Sequence, residues 1–267
     1  MNRAIERFDK YLEVERNSSI HTRAAYKRDL LEFSAFLKSS GVSSSVKDVR
    51  ENDVKAYVAS LHSRLKRSSI ARKLSSIRSF FTYLTKKRVI KASPAEFVPV
   101  PKVGKFLPTV LTVDEATALV SSPAPPASAK GDAEPLRPAK IGILLRDRAV
   151  LELLYSAGVR VSELVALNHL DLDFKAGTLR VMGKGDKERV AYMGSHAAEA
   201  IKDYALWTSR FIGKTKADGP LFFGRSGKRL TTRTVQRIVK KYVSVSSIDK
   251  RPTPHSLRHT FASHLLD

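Results

Sequence analysis

Apolar side chains recur at helical spacing through the first hundred residues of the chain. Asn52 and Ser68 stand where the third and fourth of these periods begin, so they are the predicted N-caps of two helices. The pattern predicts four helices, the first two forming an antiparallel pair, over residues 4–15, 19–37, 53–65 and 68–85. Residues 1–97 are therefore predicted to form an all-α domain.

Proline interrupts this pattern at residues 98–108, V-P-V-P-K-V-G-K-F-L-P, which carry three prolines in eleven residues. Proline lacks a backbone N–H and restricts the residue before it, so the stretch predicts a linker. A second stretch, 121–139, is rich in Pro, Ala and Ser and predicts an exposed loop between two helices. Residues 109–267 are predicted to form a second domain.

The second domain mixes helical and alternating patterns. Alternating runs at 178–182 and 188–193 flank the segment Gly183-Lys184-Gly185-Asp186, which predicts a β-hairpin. Gly158 suits a helix C-terminus and Thr231 suits an N-cap. Helical spacing predicts further helices over 113–120, 143–157, 197–211 and 232–243. The predicted fold class is two-domain: an all-α domain, then a mixed α/β, mainly helical domain with a small antiparallel sheet.

Charge narrows the classes of partner. The 267 residues have a formal net charge of +22 and an isoelectric point near 10.3, an excess that favours a polyanion, and nucleic acid above all. The start of the chain is charged and no apolar run is long enough to span a bilayer, so a cytoplasmic protein without membrane contact is expected. The chain has no cysteine, which excludes disulfides, thiolate catalysis and Cys-based zinc sites.

Basic residues are concentrated in two places. Residues 51–110 hold 13 Lys or Arg against 3 Asp or Glu, and like charges held this close predict phosphate contact as a group. For any single residue, a solvated helix face is the simpler interpretation. The predicted contacts in this first group are Arg64, Lys66, Arg67, Arg72, Lys73 and Arg78. The helix predicted over 232–243 carries the second group, Arg233, Gln236, Arg237, Lys240 and Lys241, which suits base edges and phosphates or, equally, a solvated basic face.

The last stretch of the sequence, T-P-H-S-L-R-H-T-F-A-S-H-L-L-D, carries an H-x-x-R pattern. If Pro254 opens a helix, His255 and Arg258 lie on one face near its N-terminus, where free N–H groups and the helix dipole favour phosphate. A simple capping role is the alternative. A metal pair of His255 and His259 is disfavoured because no Glu lies between them and Arg258 would repel a cation.

Two other positions have both a functional and an ordinary interpretation. Arg160 stands at the start of a predicted helix with Glu163 one turn on, which fits a surface ion pair of small value. Lys184 lies between two glycines, which would let a lysine enter a groove close to the backbone, although an exposed turn lysine fits equally well.

Three motifs in this order resemble the tyrosine recombinases, and most closely the bacterial Xer type: G-V-R-V-S-E-L, G-K-G-D-K-E-R and H-S-L-R-H-T-F-A-S-H-L-L. The resemblance extends to N-S-S-I-H-T-R-A-A-Y-K-R-D-L, A-R-K-L-S-S-I-R-S-F-F and S-P-A-E-F-V-P-V-P-K, so it covers nearly the whole chain. It implies a SAM-like core-binding domain and a catalytic domain that close around DNA as a clamp, without metal or nucleotide cofactor. It also implies two partners, a duplex recombination site and a second recombinase subunit, identical or related, in a tetramer on two DNA sites.

The resemblance also implies roles. Arg160, Lys184, His255 and Arg258 match the first four members of the family's catalytic set, which continues with a His or Trp and a Tyr nucleophile. The two arginines would hold the non-bridging phosphate oxygens, Lys184 would protonate the departing 5′ oxygen, and His255 would bind the phosphate or help to move the nucleophile's proton. Glu163 would hold the basic cluster in place.

The last two members of the set have no counterpart in the sequence and would lie beyond Asp267, so the chain is expected to bind DNA without cleaving it. The implied function is site-specific recombination through a 3′-phosphotyrosyl intermediate, with chromosome-dimer resolution in the bacterial cytoplasm, at the nucleoid, as the expected role. Integration of a mobile element and a non-cleaving DNA clamp remain alternatives. An RNA-binding protein is disfavoured because the sequence shows no aromatic platform.

Overall fold

The structure is a computed structural model. It describes residues 1–42, 45–102, 104, 109–123, 137–183, 187–211, 213 and 216–266. The chain divides into two compact units, Met1–Phe106 and Leu107–Asp267. Each unit has its own hydrophobic core.

The N-terminal unit is helical, as predicted. Its helices are α1 (Asn2–Val14), α2 (Ile20–Ser39), α3 (Glu51–Leu61) and α4 (Arg67–Lys86). The predicted caps Asn52 and Ser68 are wrong, because both residues lie inside the first turn of their helices. Helix α3 begins earlier because the Asp53 carboxylate accepts a 2.8 Å hydrogen bond from the Arg50 backbone N–H.

Ion pairs set the direction of the first two helices. Asp9 of α1 pairs with Arg23 of α2 and Glu6 pairs with Lys27, at 2.9 Å in each case. The pairing runs in opposite senses along the two helices, so α1 and α2 are antiparallel, as the pattern predicted. The unit's buried aromatic side chains are Phe8, Phe33, Tyr57, Phe80 and Phe81.

The C-terminal unit is mainly helical with one small sheet. The helices are α5 (Val113–Ser121), α6 (Pro138–Ser156), α7 (Val161–Ala166), α8 (Ser195–Phe211), α9 (Thr232–Val245) and α10 (Pro254–His264). The strands are β1 (Leu172–Asp173), β2 (Thr178–Met182) and β3 (Glu188–Tyr192), antiparallel in the order β1-β2-β3. The two-domain fold class and the hairpin are thus confirmed, and the two-residue β1 is an addition to the prediction.

The two predicted irregular stretches agree with the structure only in part. Most of the predicted loop, 124–136, lies outside the described residues, and α6 already includes Pro138 and Ala139. In the predicted linker, 103 and 105–108 also lie outside them. Val98, the linker's first residue, is buried in the N-terminal core.

Helix α6 organises the C-terminal core and packs against α5, α8 and α10. Its residues Val150, Leu151, Leu153 and Leu154 are fully buried. The ring of Trp207 on α8 occupies the space where a side chain at Gly142 of α6 would stand, which brings the two helices close together. None of the described helices is long and apolar enough to cross a membrane.

Substituting Gly158 with Ala is expected to destabilise the C-terminal unit by about 2 kcal/mol. Gly158 follows α6 with φ +54°, and an added Cβ would overlap the Phe261 ring of α10. Thermal unfolding would measure the loss. Gly227→Ala is the matched control, since Gly227 has φ +73° but open space around it. Equal losses in both variants would show that the contact with Phe261 has no effect on stability.

Candidate functional site: a cluster of three arginines on one buried glutamate

Helix α10 is fixed at both ends. Pro254 occupies its first turn, as predicted, and Thr253 caps its start. The buried Thr260 hydroxyl accepts a 3.1 Å hydrogen bond from the Leu111 backbone N–H. His264 Nε2 donates to the Leu111 carbonyl at 3.0 Å, which leaves Nδ1 to accept from the Tyr155 hydroxyl at 2.9 Å. These contacts hold the helix that carries His255 and Arg258.

Helix α7 is short, and polar contacts define both of its ends. At its start the Glu163 carboxylate accepts a 2.8 Å hydrogen bond from the Arg160 backbone N–H, in a capping box. At its end the Arg229 guanidinium donates to the carbonyls of Val165, Ala166 and Leu167 at 2.9 to 3.1 Å. A cation at a helix C-terminus satisfies carbonyls that have no partner within the helix. Arg160 is thereby held at the start of α7.

Three guanidinium groups surround the carboxylate of Glu163, whose side chain is 3% exposed. Arg160 Nη1 lies 2.7 Å from Oε1, and Arg189 Nη2 lies 2.7 Å from Oε2. Arg258 Nη1 lies 3.8 Å from Oε2, which is an ion pair but too long for a hydrogen bond. We call these four residues the arginine cluster. The ordinary alternative for Arg160 and Glu163, a surface ion pair, does not describe this contact, because the glutamate is buried and shared between arginines.

The charges of the cluster are unbalanced, since three cations face one anion. Burial alone would raise the pKa of Glu163, but hydrogen bonds from Arg160 and the charge of Arg189 bring that pKa below its ordinary value. Burial lowers the pKa of Arg258, the charge of Arg160 lowers it further, and Glu163 opposes both. Arg258 Nη1 is buried and has no hydrogen-bond partner. An arginine remains charged despite such shifts, so the site has an unsatisfied donor and an excess of positive charge.

The structure brings Arg160 and Arg258 together on the carboxylate of Glu163. His255 is exposed in the first turn of α10, one turn before Arg258. The prediction for Lys184 lies outside the described residues. The His255 and His259 rings lie 5.9 Å apart, and the described residues contain no group of His, Cys, Asp or Glu that could hold a metal ion.

The predicted contacts on α9 all lie on its surface. The apolar side of the helix, with Val235, Ile238 and Val239, is buried in the core. Lys241 has partners within the unit, since its ammonium lies 2.8 Å from the Tyr242 hydroxyl and 3.7 Å from Asp147. The exposed members are Arg233, Gln236, Arg237, Lys240 and Lys241.

In the N-terminal unit, half of the predicted basic group has partners inside the protein. Lys73 is buried and pairs with Asp29 at 3.1 Å and with Glu32 at 2.6 Å. Arg72 pairs with Asp29 too, and Arg78 donates to backbone carbonyls of the 95–98 segment. The argument that these charges need an external counter-charge therefore fails for them, because acidic residues of α2 and carbonyl oxygens supply partners. Arg64, Lys66 and Arg67 are exposed.

All eight tyrosines fall within the described residues, and no hydrogen bond there links one to the arginine cluster. Burial raises the pKa of Tyr204 and of Tyr242, whose hydroxyls bond to Phe223 and Asp147. Tyr192 is exposed on β3, but alternation along the strand places it on the face opposite to Arg189. Tyr155 bonds to His264. The remaining four, Tyr11, Tyr26, Tyr57 and Tyr83, belong to the N-terminal unit.

Arg189 and Arg229 are the residues of this site that sequence reasoning missed. Arg189 shares a face of β3 with the buried Ala191, between the outward-facing Glu188 and Val190. An arginine at an inward position is unusual unless it is paired, and that signal was readable in the alternating pattern. The role of Arg229 depends on a tertiary contact and left no local signal.

Comparisons with known proteins cover nearly the whole chain. The family described as "Phage integrase family" matches residues 138–267, and "Phage integrase, N-terminal SAM-like domain" matches 5–88. A tyrosine recombinase XerC of Syntrophus aciditrophicus is 42% identical over 278 residues, covering 100% of this chain and 85% of the relative. A tyrosine recombinase XerD of Chlorobaculum tepidum is 36% identical, covering 99% and 83%.

Solved structures agree on the fold. The XerH site-specific recombinase bound to a palindromic difH substrate matches with a TM-score of 0.69 at 21% identity, covering 99% of this chain and 73% of that one. A lambda integrase dimer bound to a COC′ core site matches with a TM-score of 0.67 at 17% identity, covering 98% and 85%. The family models and the relatives together leave one assignment: the chain belongs to the phage integrase family of tyrosine recombinases and, within it, to the Xer type.

Proposed function

We propose that Arg160 and Arg258 of the arginine cluster, with His255, bind the scissile phosphodiester of a DNA recombination site. The observation that carries the proposal is the buried Nη1 of Arg258, which has no acceptor and lies beside Arg160. An unsatisfied buried donor is costly, and three arginines against one glutamate leave a net charge of +2. A phosphodiester supplies both the acceptor and the negative charge.

In the reaction that we propose for this site, these groups act together with a tyrosine nucleophile, and none of the described tyrosines lies at the arginine cluster. A tyrosine oxygen forms a bond to phosphorus, the bond from phosphorus to the 5′ oxygen breaks, and the product is a 3′-phosphotyrosyl intermediate with a free 5′-hydroxyl. Arg160 and Arg258 match the negative charge that grows on the non-bridging oxygens. Lys184 gives its proton to the 5′ oxygen, and His255 takes part in moving the tyrosine proton. Attack by a different 5′-hydroxyl reverses the step and joins exchanged strands without ATP.

Two surfaces are proposed to hold the rest of the duplex. The exposed side of α9 offers Arg233, Gln236 and Arg237 to base edges, with Lys240 and Lys241 near phosphates. In the N-terminal unit, Arg64, Lys66 and Arg67 are free to meet the DNA backbone, and Arg72 is half-exposed despite its pairing with Asp29. Lys73 is left out of the proposal because it is buried and doubly paired.

The assembly and cellular role are inferred from relatives. The similar solved structures include XerH bound to difH and a lambda integrase tetramer bound to a Holliday junction, which supports a tetramer of identical or related subunits on two DNA sites. Relatives named XerC and XerD favour chromosome-dimer resolution, at the nucleoid in the bacterial cytoplasm, over integration of a mobile element.

We also propose that these 267 residues bind duplex DNA without cleaving it. The support is the placement of the eight tyrosines, of which none stands at the arginine cluster. The test uses a duplex that the protein itself selects from a random pool, carrying a nick that is moved one nucleotide at a time. We expect a shifted band in native gels and no protein attached to DNA after denaturation.

Variants separate the two parts of this proposal. Arg160→Gln and Arg258→Gln should each weaken binding by about tenfold, the worth of one lost charge-assisted hydrogen bond. Arg180→Gln is the matched control, because Arg180 lies on β2 and faces outward. A covalent adduct with the unsubstituted chain would refute the missing nucleophile. Equal affinity in all variants would refute the phosphate site, and stronger binding to RNA would refute the DNA partner.

A further inference from the structure

Two arginines compete for one oxygen of Glu163. Oε2 accepts hydrogen bonds from the Arg160 backbone N–H at 2.8 Å and from Arg189 Nη2 at 2.7 Å. A carboxylate oxygen has two lone-pair directions, so these donors fill it. Arg258 Nη1 lies 3.8 Å from the same oxygen, about 1 Å beyond a hydrogen bond. Arg189 therefore occupies the place that Arg258 would otherwise take.

A rigid element presents Arg189 to this site. The residue lies on β3, where it pairs with Val181 of β2, and Val181 is buried. Its side chain leaves the sheet on the inward face, and its charge contributes to lowering the pKa of Arg258. Pairing with β2 fixes the backbone of β3, so the strand keeps the Arg189 guanidinium in one position more firmly than a loop would.

We propose that Arg189 is a positioning residue, which keeps Arg258 Nη1 free for phosphate by filling Oε2 of Glu163. The inference rests on the proposed phosphate site and adds a residue to it. Without Arg189, Glu163 would draw Arg258 into a hydrogen bond, and phosphate would then have to break that bond. With Arg189 in place, the donor of Arg258 is directed at the site and has no competing acceptor.

The test is titration of the full chain with inorganic phosphate, followed through the Nε–Hε NMR signal of Arg258. That signal is identified by its absence in Arg258→Lys, and it reports on this site alone in a protein with many other cations. Arg189→Gln should raise the half-saturating phosphate concentration by about tenfold, since Glu163 then captures Arg258. In the Glu163→Gln background, where no carboxylate can capture Arg258, the same substitution should change it by about twofold or less.

Comparing Arg189→Gln in the unsubstituted chain and in Glu163→Gln distinguishes a positioning role of Arg189 from the effect of its charge on phosphate binding. Removal of a positive charge, or of a direct contact between Arg189 and phosphate, would weaken binding equally in both backgrounds, and that result would overturn the inference alone. An Arg258 signal that does not respond to phosphate would overturn the proposed site and the inference together.

Arg189→Lys keeps the charge and a donor for Oε2 and should bind phosphate within about threefold of the unsubstituted chain. If Arg189→Gln fails to fold, a tenfold loss in Arg189→Lys would count against the inference. Arg180→Gln, from the outer face of the same sheet, should leave the titration unchanged.

Discussion

Glu163→Ala is expected to destabilise the C-terminal unit by about 4 kcal/mol, within the range for removing one partner of a buried ion pair. The substitution takes away the acceptor of three hydrogen bonds, two from Arg160 and one from Arg189. It also removes the capping box of α7 and leaves three guanidinium groups facing one another. Arg160 and Arg189 can turn toward water because both side chains are partly exposed, but Arg258 is more enclosed.

Fluorescence of Trp207 during urea unfolding would measure this loss. Trp207 is the chain's single tryptophan and packs, partly buried, against the core of the C-terminal unit. The matched control is Glu188→Ala, whose carboxylate is exposed and lies 3.8 Å from Arg180, and it should change stability by less than about 0.5 kcal/mol. Similar urea unfolding midpoints for Glu163→Ala and Glu188→Ala would contradict the claim that Glu163 stabilises the C-terminal unit.

The effect should depend on pH. Because the folded-state pKa of Glu163 lies below its ordinary value, its contribution is fully present above the unfolded pKa, about 4.3. The contribution is lost as pH falls through the lower folded-state pKa. The difference between the unsubstituted chain and Glu163→Ala is therefore expected to be constant near neutral pH and to shrink in acid.

Local sequence patterns predicted the helices and the hairpin because the pattern that marks each of them lies within that element itself. Apolar spacing located the helices, and alternation around Gly183 located the hairpin. The caps of α3 and α4 were misplaced because Asn52 and Ser68 have good capping side chains, whereas the observed start of α3 depends on Asp53 reaching back to Arg50. Strand β1 has two residues, too few for any alternation to be visible.

The sequence motifs predicted only part of the site. Arg160 and Arg258 stood out through their motifs, and the structure places them on one glutamate. The spacing of Arg160 and Glu163 alone was compatible with a surface position for Glu163. Its burial depends on how α7, β3 and α10 pack together, and the sequence of α7 does not reveal that packing. Arg189 lies 26 residues from Glu163, so their hydrogen bond could be found only from the fold.

The same limit applies to the basic group of the N-terminal unit. A count of charges between 51 and 110 suggested that these cations lack partners, yet Arg72 and Lys73 pair with Asp29, which lies earlier in the chain on α2. The separation of Arg72 and Lys73 from Asp29 is 43 and 44 residues. A local charge balance thus overestimates the surface available to DNA wherever helices bring a distant carboxylate to the same place.

Asp29→Ala is accordingly expected to destabilise the N-terminal unit by about 3 kcal/mol. Asp29 is 1% exposed and accepts hydrogen bonds from Arg72, Lys73 and Ser76. The loss stays at the lower end of the range for a broken buried pair because Lys73 keeps Glu32 and half of Arg72 is in water. Hydrogen exchange of the α2 and α4 amides would show the loss as faster exchange. The control is Glu6→Ala, which removes an exposed pair with Lys27.

The difference in stability between the unsubstituted chain and Asp29→Ala should also shrink in acid. Burial alone would raise the pKa of Asp29, but the hydrogen bonds from Arg72, Ser76 and Lys73 outweigh it and hold that pKa below its ordinary value. The stabilisation is therefore complete above the unfolded pKa, about 3.9, and disappears as pH falls through the folded-state value. If Asp29→Ala exchanges no faster than Glu6→Ala at neutral pH, Arg72 and Lys73 do not depend on Asp29.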